Sequence, residues 1–205
     1  MSSVVAEITM SLDGFVAGPN ARPGQGLGEG GERLHEWVYG LKSWREPHGL
    51  EGGETGADDE VLEESISRPG AIIVGRRMYD HAEGWGDRPP FGRPVFVLTH
   101  RGQEPLVKDG GTTFTFVTDG IESALEQAKA SAGDKDVGIG GGASVIQQYL
   151  AAGLLDEFVL HIAPVLLGGG TRLFEQGTTG NIEFEPVQTV GSPYVAHLRY
   201  RIKHP

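Results

Sequence analysis

At 205 residues the chain exceeds the ~100–150 usual for one domain and falls short of two, so a single domain with generous loops, residues 1–205, is expected. Its 28 acidic residues against 17 basic give a net charge of -11, the wrong sign for attracting a polyphosphate backbone, which argues against a nucleic-acid partner. The lack of cysteine excludes disulfides, thiolate chemistry and zinc sites with sulfur ligands.

The N-terminal MSSVVAEITMSLDG carries no basic leader and meets Asp13 before a signal-length apolar core can form. No later run approaches the ~20 apolar residues of a membrane span. A soluble, unprocessed, cytoplasmic chain is therefore expected. Val4 to Met10 alternates and is β-branched enough for a strand, Ser11-Leu12-Asp13-Gly14 supplies turn chemistry, and Phe15-Val16-Ala17 is a second apolar stretch. Gly18 to Gly31 is rich in Gly, Pro and Asn, and Leu34, Trp37, Val38 and Leu41 then recur at helical spacing, predicting a loop that feeds a short helix. After a second Gly-rich polar stretch, Glu46 to Ala57, either Asp58 or Asp59 is positioned to cap a helix carrying Val61, Leu62 and Ile66 that Pro69-Gly70 ends.

Ala71-Ile72-Ile73-Val74 is continuously apolar, as a strand covered on both faces would be, and Gly75-Arg76-Arg77-Met78-Tyr79 opens a helix after it. PVFVLT at Pro94–Thr99 repeats the pattern, and a short strand at Phe114–Val117 precedes a helix over Ile121–Ala130. Val137-Gly138-Ile139 is one more inner strand, Val145–Leu154 its helix, and Phe158–Leu167 a long strand. The segments Ile182–Val190 and Tyr194–Ile202 read as a closing antiparallel pair. The rhythm predicts an α/β fold whose mainly parallel central sheet has an antiparallel C-terminal edge and helices on both faces.

Within DVGIGGGASVIQQYL, a strand running through Gly140-Gly141-Gly142 into a helix leaves free backbone N–H groups and the positive end of a helix dipole where no Cβ obstructs an anion. Ser144 adds a hydroxyl. The same residues would also serve a plain strand-to-helix turn. Gly138-x-Gly140-x-x-Ala143 matches the dinucleotide fingerprint in form, but it lies late in the chain, and the acidic pair Asp156-Glu157 begins the next strand, so a phosphate cradle is favoured over a true Rossmann unit. A second anion site is expected at Gly75-Arg76-Arg77, where two guanidiniums follow a strand end, and Thr99-His100-Arg101 makes a third cluster at the same edge. The alternative is solvent-facing arginines paired with Glu63 or Glu64. Three clusters together suit a ligand with several phosphates.

MSLDGFVAGP, IIVGRRMYD, PVFVLTHR, VGIGGGASVIQQYL and DEFVLHIAPVLLGGGTRLF, in this order over nearly the whole chain, resemble the dihydrofolate reductase-like superfamily. Most similar is the reductase domain at the C-terminus of the bifunctional riboflavin-biosynthesis deaminase-reductase, with its stand-alone relatives. The resemblance implies a three-layer dihydrofolate reductase-like fold and NADPH-dependent hydride transfer to a pyrimidine or pterin-like heterocycle. It implies that Gly75, Arg76 and Arg77 hold the adenosine end, with Thr99, His100 and Arg101 near the 2′-phosphate. Gly140, Gly141, Gly142, Ala143, Ser144 and Val145 would wrap the pyrophosphate, and Thr9, Val16 and Ala17 would border the nicotinamide. It also implies a homodimer through the late strands.

Two departures point away from folate. The Trp-x-x-Pro motif followed by an acidic residue is not legible in Leu34–Trp44, and Val159-Leu160-His161-Ile162 stands where many folate enzymes have LTHI. The zinc-binding deaminase domain of the bifunctional enzymes has no counterpart in these residues. The leading reading is thus a reductase of the riboflavin branch acting on an aminouracil or related heterocycle. A dihydrofolate or pterin reductase is the alternative within the fold, and an NADPH-binding module without turnover the alternative of another class.

Hydride transfer asks the protein chiefly for positioning and a proton source. Asp13 is the candidate acid, against the simpler role of capping its own Asp-Gly turn. Glu36 and His161 are weaker candidates, an isolated strand histidine being more often packed than catalytic. The seven histidines show no metal-ligand spacing, and no metal is expected. Trp37, Tyr39 and Trp44 would form either core or the wall of a heterocycle pocket. Gly168-Gly169-Gly170 fits a close approach to substrate, a bulge or a hinge.

Overall fold

Alternation along the inner strands decides what each face of the sheet carries. In the strand β1 (Val4–Ser11), Val4 and Ala6 enter the core with Ile8 and Met10 beside them, so Val5, Glu7 and Thr9 fall on the opposite face. The computed structural model describes residues 2–175 and 181–203. After β1 come β2 (Phe15–Ala17), two single-turn helices α1 (Glu36–Tyr39) and α2 (Lys42–Arg45), and the longer α3 (Ala57–Ser67). Then β3 (Pro69–Gly75), α4 (Arg76–His81), β4 (Pro94–Leu98), β5 (Leu106–Val107), β6 (Thr113–Val117) and α5 (Ile121–Ala132) alternate. The chain continues through β7 (Asp136–Gly141), α6 (Ala143–Ala151), β8 (Glu157–Ala163), β9 (Thr171–Arg172), β10 (Glu183–Gly191) and β11 (Ala196–Lys203).

The main sheet runs β10-β11-β8-β1-β7-β3-β4-β6-β5. From β8 to β6 every pairing is parallel, while β10–β11 and β11–β8 are antiparallel, which is the α/β arrangement with an antiparallel C-terminal edge. The short β5 adds an antiparallel strand at the other edge, where no strand is legible in the sequence. One face of the sheet packs Ile73, Phe96, Val137 and Ile139 under α5 and α6. On the other, Val74, Val95 and Val97 meet Met78 and Tyr79 of α4. Helices therefore cover both faces.

Three segments differ from their predicted form. The helical spacing of Leu34, Trp37, Val38 and Leu41 is broken into a 3-10 turn and the two short helices, because the backbone of Gly40 and Lys42 is bonded to Glu54 instead of continuing a helix. Asp58 and Asp59 do not cap α3. Gly56 holds that position, and both carboxylates turn inward from the first turn, Asp59 accepting the Ser43 amide at 2.8 Å. The strand expected to run to Leu167 ends at Ala163, and Gly168–Gly170 lies in the return to β9, where a Cβ at Gly170 would sit 2.0 Å from the Ala17 carbonyl. That glycine triplet thus serves the β2–β9 pairing.

Candidate active site

The face of β7 opposite the core carries Gly140 where neighbouring strands carry side chains, and a cavity of about 1010 Å³ lies above the sheet there. Its walls include Thr9 of β1, Val16 and Ala17 of β2, Gly140 and Gly141 of β7, and Gly142 and Ala143 at the start of α6. Arg77 of α4 lines the same space. A Cβ at Gly142 would meet nothing within 4 Å, so its backbone is bare toward open space. The Gly142 carbonyl accepts from Val145 and Ile146, while the first amides of α6 have no partner inside the helix. The Gly141–Gly142 peptide is cis.

The other predicted residues sit around this cavity. Gly75 packs so tightly that a Cβ would lie 2.9 Å from Val145 Cγ2, which brings the ends of β3 and β7 together. Val145 itself is buried and Ser144 lies one residue beyond the lining. The two adjacent arginines part company. Arg76 Nε donates to Asp80 at 2.7 Å and its guanidinium lies over the Tyr79 and Phe116 rings, whereas Arg77 is exposed and has no carboxylate partner among the described residues. Arg101 approaches the other Asp80 oxygen at 3.5 Å, so Arg76 and Arg101 meet at Asp80 rather than Glu63 or Glu64. Thr99 is buried and its hydroxyl accepts the Arg101 amide, with His100 exposed between them.

Asp13 has a different task from supplying a proton. Its carboxylate accepts from Ser11 Oγ at 2.5 Å, the Gly168 amide at 2.7 Å and the Leu167 amide at 3.1 Å, tying the first turn to the loop before β9. The Ser11 bond, with those amides, holds its pKa down to about 2. Asp13 is not among the walls of the cavity, and its carboxylate is engaged by the turn and the loop. Glu36 is exposed on α1 and is not among the cavity walls.

A different set of acid and base groups meets the cavity. Glu7 of β1 and His161 of β8 both line it, and their further partners come from β11 and α3. His161 and His197 stand directly opposite in the antiparallel β8–β11 pair, so their rings share one face, and their Nδ1 atoms lie 2.6 Å apart. Across the parallel β1–β8 pair, Thr9 is level with His161, so Glu7 is its diagonal neighbour and places Oε1 at 2.8 Å from His161 Nε2. On α3, Asp58 and Ser65 are two turns apart and face the sheet together. Asp58 Oδ1 lies 3.2 Å from His197 Nε2, and Ser65 Oγ donates to Glu7 Oε1.

Both histidines are nearly inaccessible, at 4% and 3% exposure, and Trp37 packs on both rings at centroid distances of 5.1 and 5.0 Å. Trp37 is thus core and cavity wall at once, with Tyr39 and Trp44 further along the same wall. Burial opposes the charged form of Glu7, but the hydrogen bond and positive charge of His161 outweigh it and hold the carboxyl below its usual range. Burial and the neighbouring His161 lower His197. The four groups run in a line rather than around a point, and among the described residues no three His, Cys, Asp or Glu gather to hold a metal ion. A second cavity, about 500 Å³, shares Glu7, Trp44, Leu62, Trp85 and Gly140 with the first and is also lined by Arg68, Arg93 and Arg199.

Residues 2–196 match the family model of the RibD C-terminal domain, and the chain belongs to that family. It is 44% identical over 181 residues to YyaP of Bacillus subtilis (strain 168), covering 83% of this chain and 79% of that one. Among solved structures it is similar to a putative riboflavin biosynthesis protein from Shewanella sp. PV-4, with TM-score 0.67 and 20% identity over 98% of this chain and 99% of the other. It is similar also to dihydrofolate reductase from Enterococcus faecalis complexed with NADP(H), with TM-score 0.59 and 17% identity over 98% and 97%. Acinetobacter baumannii RibD aligns at TM-score 0.59 and 18% identity over 99% of this chain and 58% of its own. The fold is that of the dihydrofolate reductase-like reductases. No helix among the described residues is long and apolar enough to cross a membrane.

Proposed function

We propose that this RibD C-terminal domain family member is an NADPH-dependent reductase of a heterocyclic substrate, in the manner of the aminouracil reductases of riboflavin biosynthesis. The observation that carries the reading is one continuous cavity with a bare glycine and helix-start cradle on one side and the Glu7–His161 pair on the other. A dinucleotide fits the cradle: Gly142 and the first amides of α6 meet a pyrophosphate without a Cβ in the way, and Arg77 adds a cation with no competing carboxylate. Arg76, Arg101, Thr99 and His100 cluster on the same edge, outside the cavity, where a 2′-phosphate would be held. Thr9, Val16 and Ala17 would flank the nicotinamide. Bound there, the cofactor supplies a hydride.

The chain's own residues do the rest. The second cavity, walled by Trp44, Leu62 and Trp85, offers an apolar slot for a flat ring beside Glu7. Arg93 in its lining is bonded to the Phe91 and Pro69 carbonyls and has no carboxylate partner among the described residues, which suits a substrate carrying a phosphoribosyl group. The test is NADPH oxidation by the purified chain with two acceptors, an aminouracil bearing a phosphoribosylamino group and dihydrofolate. Turnover of the first is expected. Turnover of dihydrofolate alone moves the assignment to the pterin branch, and NADPH binding without oxidation of either means a nucleotide-binding module.

A further inference from the structure

The buried chain of Asp58, His197, His161 and Glu7 contains three consecutive links, at 3.2, 2.6 and 2.8 Å. Each link needs one proton between its two heavy atoms. Two neutral imidazoles bring two protons and two carboxylates bring none, so the chain holds one proton more than its four groups carry in their ordinary neutral-pH forms. That proton has four places to sit: on Glu7, as the second ring proton of His161 or of His197, or on Asp58. In each case every link is satisfied, and passing from one to the next needs only a proton shift within existing hydrogen bonds.

We propose that these four residues form a proton relay that carries a proton from Asp58, at the end of the chain away from the cavity, to Glu7 at the cavity. Its last step, transfer from Glu7 to the acceptor, rests on the reductase reading. Reduction of a C=N or C=O group takes one hydride at carbon and one proton at the heteroatom. The relay supplies that proton: with the extra proton first on Asp58, each of the three link protons shifts one place toward Glu7, the Glu7 O–H bond breaks as the new N–H or O–H bond forms, and Asp58 takes a proton from water once both rings have returned to the tautomers that donate toward Glu7. Asp58 keeps 10% of its side chain exposed, and Glu7 keeps 28%. The histidines between them are sealed by Trp37.

Glu7 is the catalytic residue in this scheme, and His161, His197 and Asp58 are positioning residues. The other polar and charged groups bearing on the chain are Ser65 of α3, which donates to Glu7, Arg199 of β11, whose charge favours the Glu7 carboxylate and which pairs with Glu64 at 2.8 Å, and His35, which senses the charge of His161. None of them lies within the three links.

The relay is read in the whole chain without any ligand, by NMR of protein labelled with nitrogen-15 in histidine and assigned through His161→Asn and His197→Phe. At pH 7 the ring nitrogens of His161 and His197 and the carboxyls of Glu7 and Asp58, these read by carbon-13 labelling of the carboxyls, are expected to hold three protons between them. In Asp58→Asn the amide can itself donate to His197, the extra proton is no longer required, and two are expected. Two in the native chain, or three remaining in Asp58→Asn, overturns the relay. Should Asp58→Asn not fold, the native count still decides. The catalytic end is tested by Glu7→Gln with whichever acceptor is turned over: NADPH affinity unchanged within about twofold and kcat lower by about 100-fold or more, the range of a lost general acid. A kcat within tenfold of native overturns the role of Glu7. Native protein whose four groups hold three protons yet binds no NADPH keeps the relay and refutes the reductase reading instead.

Discussion

Replacing Arg77 with alanine separates the two arginines that the sequence presents as one cluster. Arg77 lines the cavity beside the glycine cradle, whereas Arg76 is held by Asp80 and two aromatic faces outside it. Arg77 would therefore meet the pyrophosphate, a group common to NADPH and NADH. A charge-assisted hydrogen bond is worth ~1.5–3 kcal/mol, which at ~1.4 kcal/mol per decade is about 10- to 150-fold in Kd. Arg77→Ala should weaken both nucleotides by that factor and leave their ratio unchanged. The side chain is exposed and lacks an ion-pair partner among the described residues, so stability should stay within ~0.5 kcal/mol. Arg101→Ala, beside Asp80, should instead weaken NADPH alone. The assay is calorimetric titration with each nucleotide at one fixed salt concentration, since screening changes phosphate contacts, with urea unfolding of each variant. Unchanged affinity for both nucleotides, or loss of NADPH binding only, would refute the placement of Arg77 at the pyrophosphate.

Three further predictions concern the frame around the site. Asp13 is more acidic in the folded chain than in the unfolded one, so the stability it confers is complete above the unfolded value of ~3.9 and is lost as pH falls toward its folded value of about 2. Acid titration of native protein and Asp13→Asn, followed by circular dichroism, should show that native-specific loss between those limits. A Cβ at Gly75 would press on Val145 Cγ2 at 2.9 Å, and Gly75→Ala should cost ~1–3 kcal/mol in urea unfolding. Tyr149 is fully buried and donates its hydroxyl to the Ile121 carbonyl at 2.7 Å, so Tyr149→Phe should cost ~1 kcal/mol without altering nucleotide affinity.

The inner strands and the glycine-rich turn from β7 into α6 were legible because their signals are local. Ala71–Val74, Pro94–Leu98 and Val137–Ile139 are short apolar runs bounded by glycine or proline, and a strand that runs through three glycines into an amphipathic helix exposes backbone wherever it folds. The relay was not legible. Glu7, Asp58, His161 and His197 come from β1, α3, β8 and β11, and only the register of β11 against β8 puts the two histidines face to face. Pairing the last two strands with each other, as the sequence suggests, leaves that second contact of β11 unseen. A usable signal was present: in FVLHIA and AHLRYRIK each histidine occupies a strand position on the face opposite the apolar core residues, and two such histidines on neighbouring strands need a shared partner. Asp13 misled for the converse reason, since its partners Leu167 and Gly168 lie more than 150 residues away.

The central claim is that this cavity binds a nicotinamide dinucleotide with its extra phosphate at the Arg76–Arg101 edge. Titrating the purified native chain with NADPH and with NADH, by calorimetry or quenching of its tryptophan fluorescence, tests it most directly. Saturable one-to-one binding of NADPH with weaker binding of NADH is expected. Failure to bind either nucleotide would contradict it, leaving the glycines at the end of β7 as a tight turn and nothing more.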